Sequence, residues 1–218
     1  MLAIMRGTLL LLSLTATAPA SADPVRDMAM AAQLDSSGSL QKLLDRGVSP
    51  NTVDPISHLP VVQLALREDA HNAFDVLVAA KDIDLEQMAP NGNTALMLAA
   101  FKRNKRAVLA LLAKGAIVTR PGWTALHYSA ASGDTDITAI LLDKHAYIDA
   151  ESPSQLTPLM IAAREGHEEV VDLLLREGAD ARLKNNERLT ASQIARRADK
   201  PRIADNIDKF LASREAGK

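Results

Sequence analysis

The feature that most constrains this chain is that it repeats itself. Thr94-Ala95-Leu96-Met97-Leu98-Ala99-Ala100, Thr124-Ala125-Leu126-His127-Tyr128-Ser129-Ala130 and Thr157-Pro158-Leu159-Met160-Ile161-Ala162-Ala163 are variants of one pattern. Pro60-Val61-Val62-Gln63-Leu64-Ala65-Leu66 and Thr190-Ala191-Ser192-Gln193-Ile194-Ala195-Arg196 are degraded copies of it. The copies start at residues 60, 94, 124, 157 and 190, hence 34, 30, 33 and 33 residues apart. After three of them comes a second apolar stretch at helical spacing: Val108 to Leu112, Ile137 to Leu142 and Val170 to Leu175. One such unit cannot bury its own apolar face, whereas its neighbours can cover it, so the repeat predicts a stacked array. The composition agrees, with 47% apolar residues but only 3% aromatics. A core built from Ala, Leu, Val and Met suits closely stacked small helices better than a sandwich or barrel, whose strands want β-branched and aromatic residues. Disorder is excluded at this apolar content.

The period of about 33 residues and the T-P-L-H-x-A-like signature make the chain resemble the ankyrin-repeat family. The resemblance implies an all-α ankyrin-repeat solenoid of about six helix–turn–helix units joined by extended or β-hairpin fingers. The boundaries follow as an N-terminal capping repeat over 23–54, repeats over 55–88, 89–118, 119–151 and 152–184, and a C-terminal capping repeat over 185–218. Gly47, Gly115 and Gly178 stand where second helices end, because glycine takes the left-handed conformation without a Cβ penalty. Lys81 and His145 occupy the equivalent place in two other units, which predicts poorer caps there. In the family the signature Thr and His share a hydrogen bond that ties one unit to the next. Only Thr124 and His127 keep both residues, while Met97, Met160 and Gln63 replace the His elsewhere. That predicts a more plastic stack, since thioethers adapt their shape. The segment 201–213 supplies the last helix, with charges around Ile203, Ile207, Phe210 and Leu211 to keep the terminal face soluble.

Residues 1–22 read as a cleaved secretory signal rather than part of the fold. Arg6 is a short positive region, Leu9-Leu10-Leu11-Leu12-Ser13-Leu14 the apolar centre, and Ala20-Ser21-Ala22 the cleavage site before Asp23. The uncharged span from Gly7 to Ala22 is 16 residues, short of the ~20 that a helix needs to cross a bilayer. No later segment is apolar and long enough to insert after cleavage. The expected location is therefore periplasmic, with the extracellular space as the alternative.

Nothing in the sequence carries an enzyme's chemistry. Cysteine is absent, which removes disulfides, thiolate catalysis and cysteine-ligated metals. His167-Glu168-Glu169-Val170-Val171 lacks the second His of a zinc-binding helix. No G-x-S-x-G elbow and no glycine-rich phosphate loop occurs. Asp134, Asp136, Glu168 and Glu169 sit at helix N-termini, where the macrodipole favours carboxylates without catalysis. No catalytic residue, metal site or cofactor is expected. With 25 Lys+Arg against 27 Asp+Glu, the chain also lacks the basic excess that nucleic acid demands.

What such an array does is bind. The resemblance implies that fingers and first-helix ends line a concave side on which another protein docks. The matching positions here include Arg67, Asn91, Asn93, Phe101, Lys102, Arg120, Trp123, Ser132, Arg164 and Arg197. Trp123, the only tryptophan, falls on a shortened finger beside Arg120 and Pro121, and Trp and Arg are the residues most enriched at binding hot spots. It can serve either as an anchor for a partner or as packing over the irregular finger. Arg67, Lys102, Arg164 and Arg197 form an interrupted basic row, to be read as a solvated face or as an anion site, with Glu68 and Glu165 beside it. The leading expectation is a monomeric, non-enzymatic adaptor or accessory factor. The alternatives are a haem or small-molecule handling protein that supports peroxide defence, using Tyr128, His127 or methionines, and an effector or immunity protein.

Overall fold

The computed structural model describes residues 23–216, so the expected signal over 1–22 lies outside the described residues. Twelve helices run in order along them: α1 (Pro24–Gln33), α2 (Ser37–Asp45), α3 (Val61–Arg67), α4 (His71–Ala79), α5 (Ala95–Phe101), α6 (Lys105–Ala113), α7 (Ala125–Ser132), α8 (Thr135–Asp143), α9 (Pro158–Glu165), α10 (Glu168–Arg176), α11 (Ala191–Arg197) and α12 (Pro201–Ala216). They form six antiparallel pairs. Helices of seven to ten residues are marginal alone, so the packing of pair on pair is what holds them. Leu64, Leu96, Leu126 and Leu159, from four copies of the repeat, are almost fully buried. Ala99, Ala100, Ala162 and Ala163 have no accessible surface, which allows the close approach that their size predicts.

The first helices of successive pairs (α3, α5, α7, α9, α11) pack on one another more extensively than the second helices do. Closer spacing on one side bends a stack toward that side, so the first helices lie on the inner, concave face. The fingers are extended and closed by tight turns rather than by a sheet. Among the described residues the only bridge is Val53 with Pro60. The turns are held by Ala89 N–H donating to the Asn93 carbonyl (2.9 Å), Ser152 to Leu156 (3.0 Å) and Asn185 to Leu189 (3.1 Å).

A left-handed residue joins the helices within every pair: Asp35, Asp69, Arg103, Gly133, Gly166 and Asp199, all at positive φ. Only two of the six are glycine. Asp35 compensates by accepting from Ala73 N–H and Asn72 Nδ2, both at 2.7 Å, which ties the first pair to the second. Those bonds, the backbone one foremost, hold its carboxyl below the usual carboxylate range. At the second-helix ends, Gly115 and Gly178 take φ of 90° and 99°. His145 departs from the expected poor cap: it adopts φ 62° and donates to Leu142 at 2.8 Å, so the cap closes despite its Cβ. The α4 end behaves differently, leaving the helix through an extended Ala80 at ψ 142° with no left-handed residue. The C-terminal helix is longer than expected, and buries Ile203, Ala204 and Ile207 against the stack.

Candidate functional site

The repeat signature builds the inner face. Thr124, Thr157 and Thr190 are extended residues capping α7, α9 and α11. His127 is fully buried beneath the finger. Its Nδ1 lies 3.1 Å from Thr124 N–H and 2.9 Å from Thr124 Oγ1, and its Nε2 lies 3.0 Å from the Leu156 carbonyl. A carbonyl can only accept, so the proton sits on Nε2 and Nδ1 accepts. Burial pushes the imidazole pKa down, which keeps this ring neutral. The ring thus ties its own helix cap to the next finger.

The positions lacking His are not all loosened. Gln63 Nε2 donates to the carbonyls of Gln87 and Asn93, both at 3.0 Å, and so makes the same reach to the next finger. Gln193 Oε1 accepts from Thr190 N–H at 2.9 Å, restoring the cap tie instead. Met160 Sδ accepts from Thr157 N–H at 3.5 Å and completes the capping box of α9, with no reach to the next finger. The link to the next finger is thus made by His127 and by Gln63 but not by Met160.

Over His127 lies an aromatic row. Trp123 packs edge-on against the imidazole at 5.3 Å between centroids and lies 5.9 Å from Tyr128. Phe101 meets Tyr128 in a T-shaped pair at 6.0 Å. The Tyr128 hydroxyl donates to Asn93 Oδ1 at 2.6 Å, fixing the ring between two fingers. Phe101 is 53% and Trp123 37% exposed, although both stand in a packed row. Trp123 is therefore both packing over the short finger and surface. Met88, half exposed, extends the apolar patch beside that finger through its contact with Arg120. Tyr128 is the centre of the row. The signal was present, since the other four copies carry Leu64, Leu98, Ile161 and Ile194 at this position.

The remaining candidate residues divide differently from their sequence grouping. Arg120 leans on its neighbours: its Nη1 faces Glu86 at 3.8 Å without a hydrogen bond, its Nη2 lies 3.6 Å from Met88 Sδ, and Glu86 accepts from Ile117 N–H. Asn91 Oδ1 accepts from Asn93 N–H and shapes the finger turn. Ser132 Oγ donates to the Ala100 carbonyl at 3.1 Å, joining α7 to α5. The basic row is broken up by its own acids. Arg67 pairs with Glu68, Lys102 with Asp69, Arg164 with Glu165 and Arg197 with Glu187. Counted from the helix starts, Phe101 rather than Lys102 shares the place of Arg67, Arg164 and Arg197, because Lys102 is the residue after α5. Lys102 instead reaches back to Asp69 and the Arg67 carbonyl. Each of the four cations thus has an acidic neighbour, and Arg164 and Arg197 keep guanidinium nitrogens outside those pairs.

Of the residues considered for haem ligation, His127 Nε2 is engaged with the Leu156 carbonyl and the Tyr128 hydroxyl with Asn93. No described helix is long and apolar enough to cross a membrane.

The comparisons with known proteins agree with the geometry. A family model described as ankyrin repeats, in three copies, matches residues 28–121 and 117–185. A mouse protein described as protein fem-1 homolog A-like is 36% identical over 104 residues, covering 46% of this chain and 16% of that protein. Human SH3 and multiple ankyrin repeat domains protein 2 is 33% identical over 161 residues, covering 71% of this chain and 9% of its own length. The chain thus spans only a small part of these curated relatives. Among solved structures, the crystal structure of the ankyrin repeat domain of Bcl-3 superposes with a TM-score of 0.70 at 26% identity, covering 81% of this chain and 80% of that one.

Proposed function

The chain belongs to the ankyrin-repeat family, and from that premise we propose that it is a monomeric, non-enzymatic adaptor or accessory factor that binds another protein along its concave side. The observation that carries this reading is the row of Phe101, Tyr128 and Trp123, in which half-buried Tyr128 stands between two exposed rings. A chain with only six aromatics sets three of them side by side on the inner face, where aromatic surface serves a partner better than it serves folding. Trp and Tyr supply large contact area at low conformational cost, and such anchors dominate interface energetics. The paired charges around the row suit a rim that excludes water rather than a source of affinity.

The proposed place of action is the periplasm. Supporting this is the N-cap of α1: Asp23 Oδ1 accepts from Val25 N–H, with Pro24 in the first turn. Cleavage after Ala22 leaves that cap whole. Release of a form beginning at Asp23 by osmotic shock supports the location, and an uncleaved cytosolic protein refutes it.

The functional test uses the wild-type protein and a Trp123→Ala variant as baits for native envelope proteins. A retained protein should bind Trp123→Ala weaker by about 2 kcal/mol, or roughly 30-fold, with the circular dichroism spectrum unchanged. Equal retention by both baits removes the aromatic row as the anchor.

A further inference from the structure

The concave side does not end at the aromatic row. Leu156, whose carbonyl holds His127, also forms part of the wall of a cavity of about 500 Å³ between the fifth and sixth helix pairs. Its lining combines the apolar Leu156, Leu189 and Ile194 with Arg164, Arg197, Glu187 and the buried Asn185. The cavity therefore sets apolar surface beside donors and cations, the arrangement expected where orientation is set by a few polar groups.

The donors of the lining are only partly used. Arg164 is bonded through Nε alone, to its neighbour Glu165 at 2.9 Å, so among the described residues its two Nη groups have no partner. Asn185 Oδ1 accepts from Glu187 and Leu189 N–H, both at 3.0 Å, which leaves Nδ2 without a protein partner among the described residues. Arg197 Nη1 is held by Glu187 on the fingertip, where both side chains are largely exposed. Such an exposed pair is weak, so an incoming carboxylate competes with Glu187 on nearly equal terms.

We propose that this cavity is a binding site for the C-terminal carboxylate of a peptide that ends in an aliphatic residue. The aliphatic part packs on Leu189 and Ile194, and the carboxylate accepts from Arg164, Arg197 and Asn185. Charge-assisted bonds to two guanidinium groups select the ionised acid over a neutral amide. The proposal deepens the protein-binding reading by giving the chemistry of one end of the partner's segment, and rests on it only for the partner being a protein.

The test uses acetyl-leucine and acetyl-leucinamide as probes, which differ only at the carboxylate. Each is titrated into the methyl-labelled full chain and followed by NMR. A ligand this small binds in the millimolar range, so titration to about 20 mM reaches saturation. Acetyl-leucine should shift the methyl signals of Leu189 and Ile194 saturably, and the amide should bind about tenfold more weakly. Arg164→Gln and Arg197→Gln should each weaken the acid about fivefold, and Glu187→Gln should tighten it about twofold by removing the competing carboxylate. Trp123→Ala should change nothing here, which separates this site from the aromatic anchor. Equal shifts with acid and amide, or silent Leu189 and Ile194 methyls, overturn the proposal while leaving the Trp123 reading standing.

Discussion

Replacing Gly133 by Ala tests how tightly adjacent units are locked. Gly133 ends α7 at φ 74°, and His167 of the next unit lies against it, with Nε2 3.0 Å from the Ala131 carbonyl. A Cβ built on Gly133 would sit 2.6 Å from His167 Cε1 and 2.7 Å from its Cγ. Cγ is near the root of the side chain, so the ring cannot swing its tip away and must change rotamer. Gly115 is the control. It has φ 90°, and a Cβ there meets nothing within 4 Å. Its substitution costs about 1–2 kcal/mol of left-handed strain, less about 0.4–1 kcal/mol regained from a stiffer unfolded chain. Gly133→Ala carries the same terms, plus a lost hydrogen bond of about 0.5–1.5 kcal/mol and about 1–3 kcal/mol of local repacking. The difference between the variants should be about 1.5–4.5 kcal/mol. Gly166→Ala falls between them, because its Cβ meets the flexible Lys200 chain, with Cε at 2.9 Å. Urea unfolding followed by circular dichroism measures all three. Equal losses for Gly115→Ala and Gly133→Ala would refute the interlock between the fourth and fifth pairs.

Other outcomes follow from the buried face. His127 has a pKa depressed by burial against about 6.5 when unfolded. Between those values the unfolded chain binds the extra proton, so stability is full above about pH 6.5 and falls as the pH drops through that value toward the folded pKa. His127→Gln, the residue the chain itself uses at positions 63 and 193, should flatten that loss when urea midpoints at about pH 7.5 and about pH 5.5 are compared; an unchanged slope contradicts the neutral buried ring. Leu126→Ala empties a site with no accessible surface and should cost about 2–5 kcal/mol, read from the same unfolding curves. Deleting residues 201–218 uncovers the face that Ile203, Ala204 and Ile207 bury, and should make the protein aggregate in light scattering, whereas a monodisperse truncated chain would show that α12 is not the cap.

The helix pairs were legible because the repeat places Leu96, Leu126 and Leu159 at one position, and burial rewards that position in every unit. The curvature followed from the resemblance and reappears as the closer packing of the inner helices. The left-handed joints were less legible, since Asp35, Asp69, Arg103 and Asp199 take a conformation that only Gly133 and Gly166 advertise. The candidate site was half visible. Trp123 was singled out by scarcity, but Tyr128 was hidden because an aromatic in the pattern looks like core until the copies are compared position by position. The pairing of Arg120 with Glu86 was not legible, because it crosses from one repeat to the next. Charge pairs between units depend on three-dimensional spacing that a linear pattern does not carry.

The central claim is that the aromatic row on the concave side is the surface a protein partner covers. Site-specific photo-crosslinking in cells measures this most directly, with the crosslinking residue placed in turn at Phe101, at Trp123 and at Leu109, an exposed position on the outer helix α6. A discrete crosslinked species from positions 101 and 123, with none from 109, is the predicted result. Crosslinks from position 109 with none from 101 and 123 would place the partner on the outer helices and contradict the account.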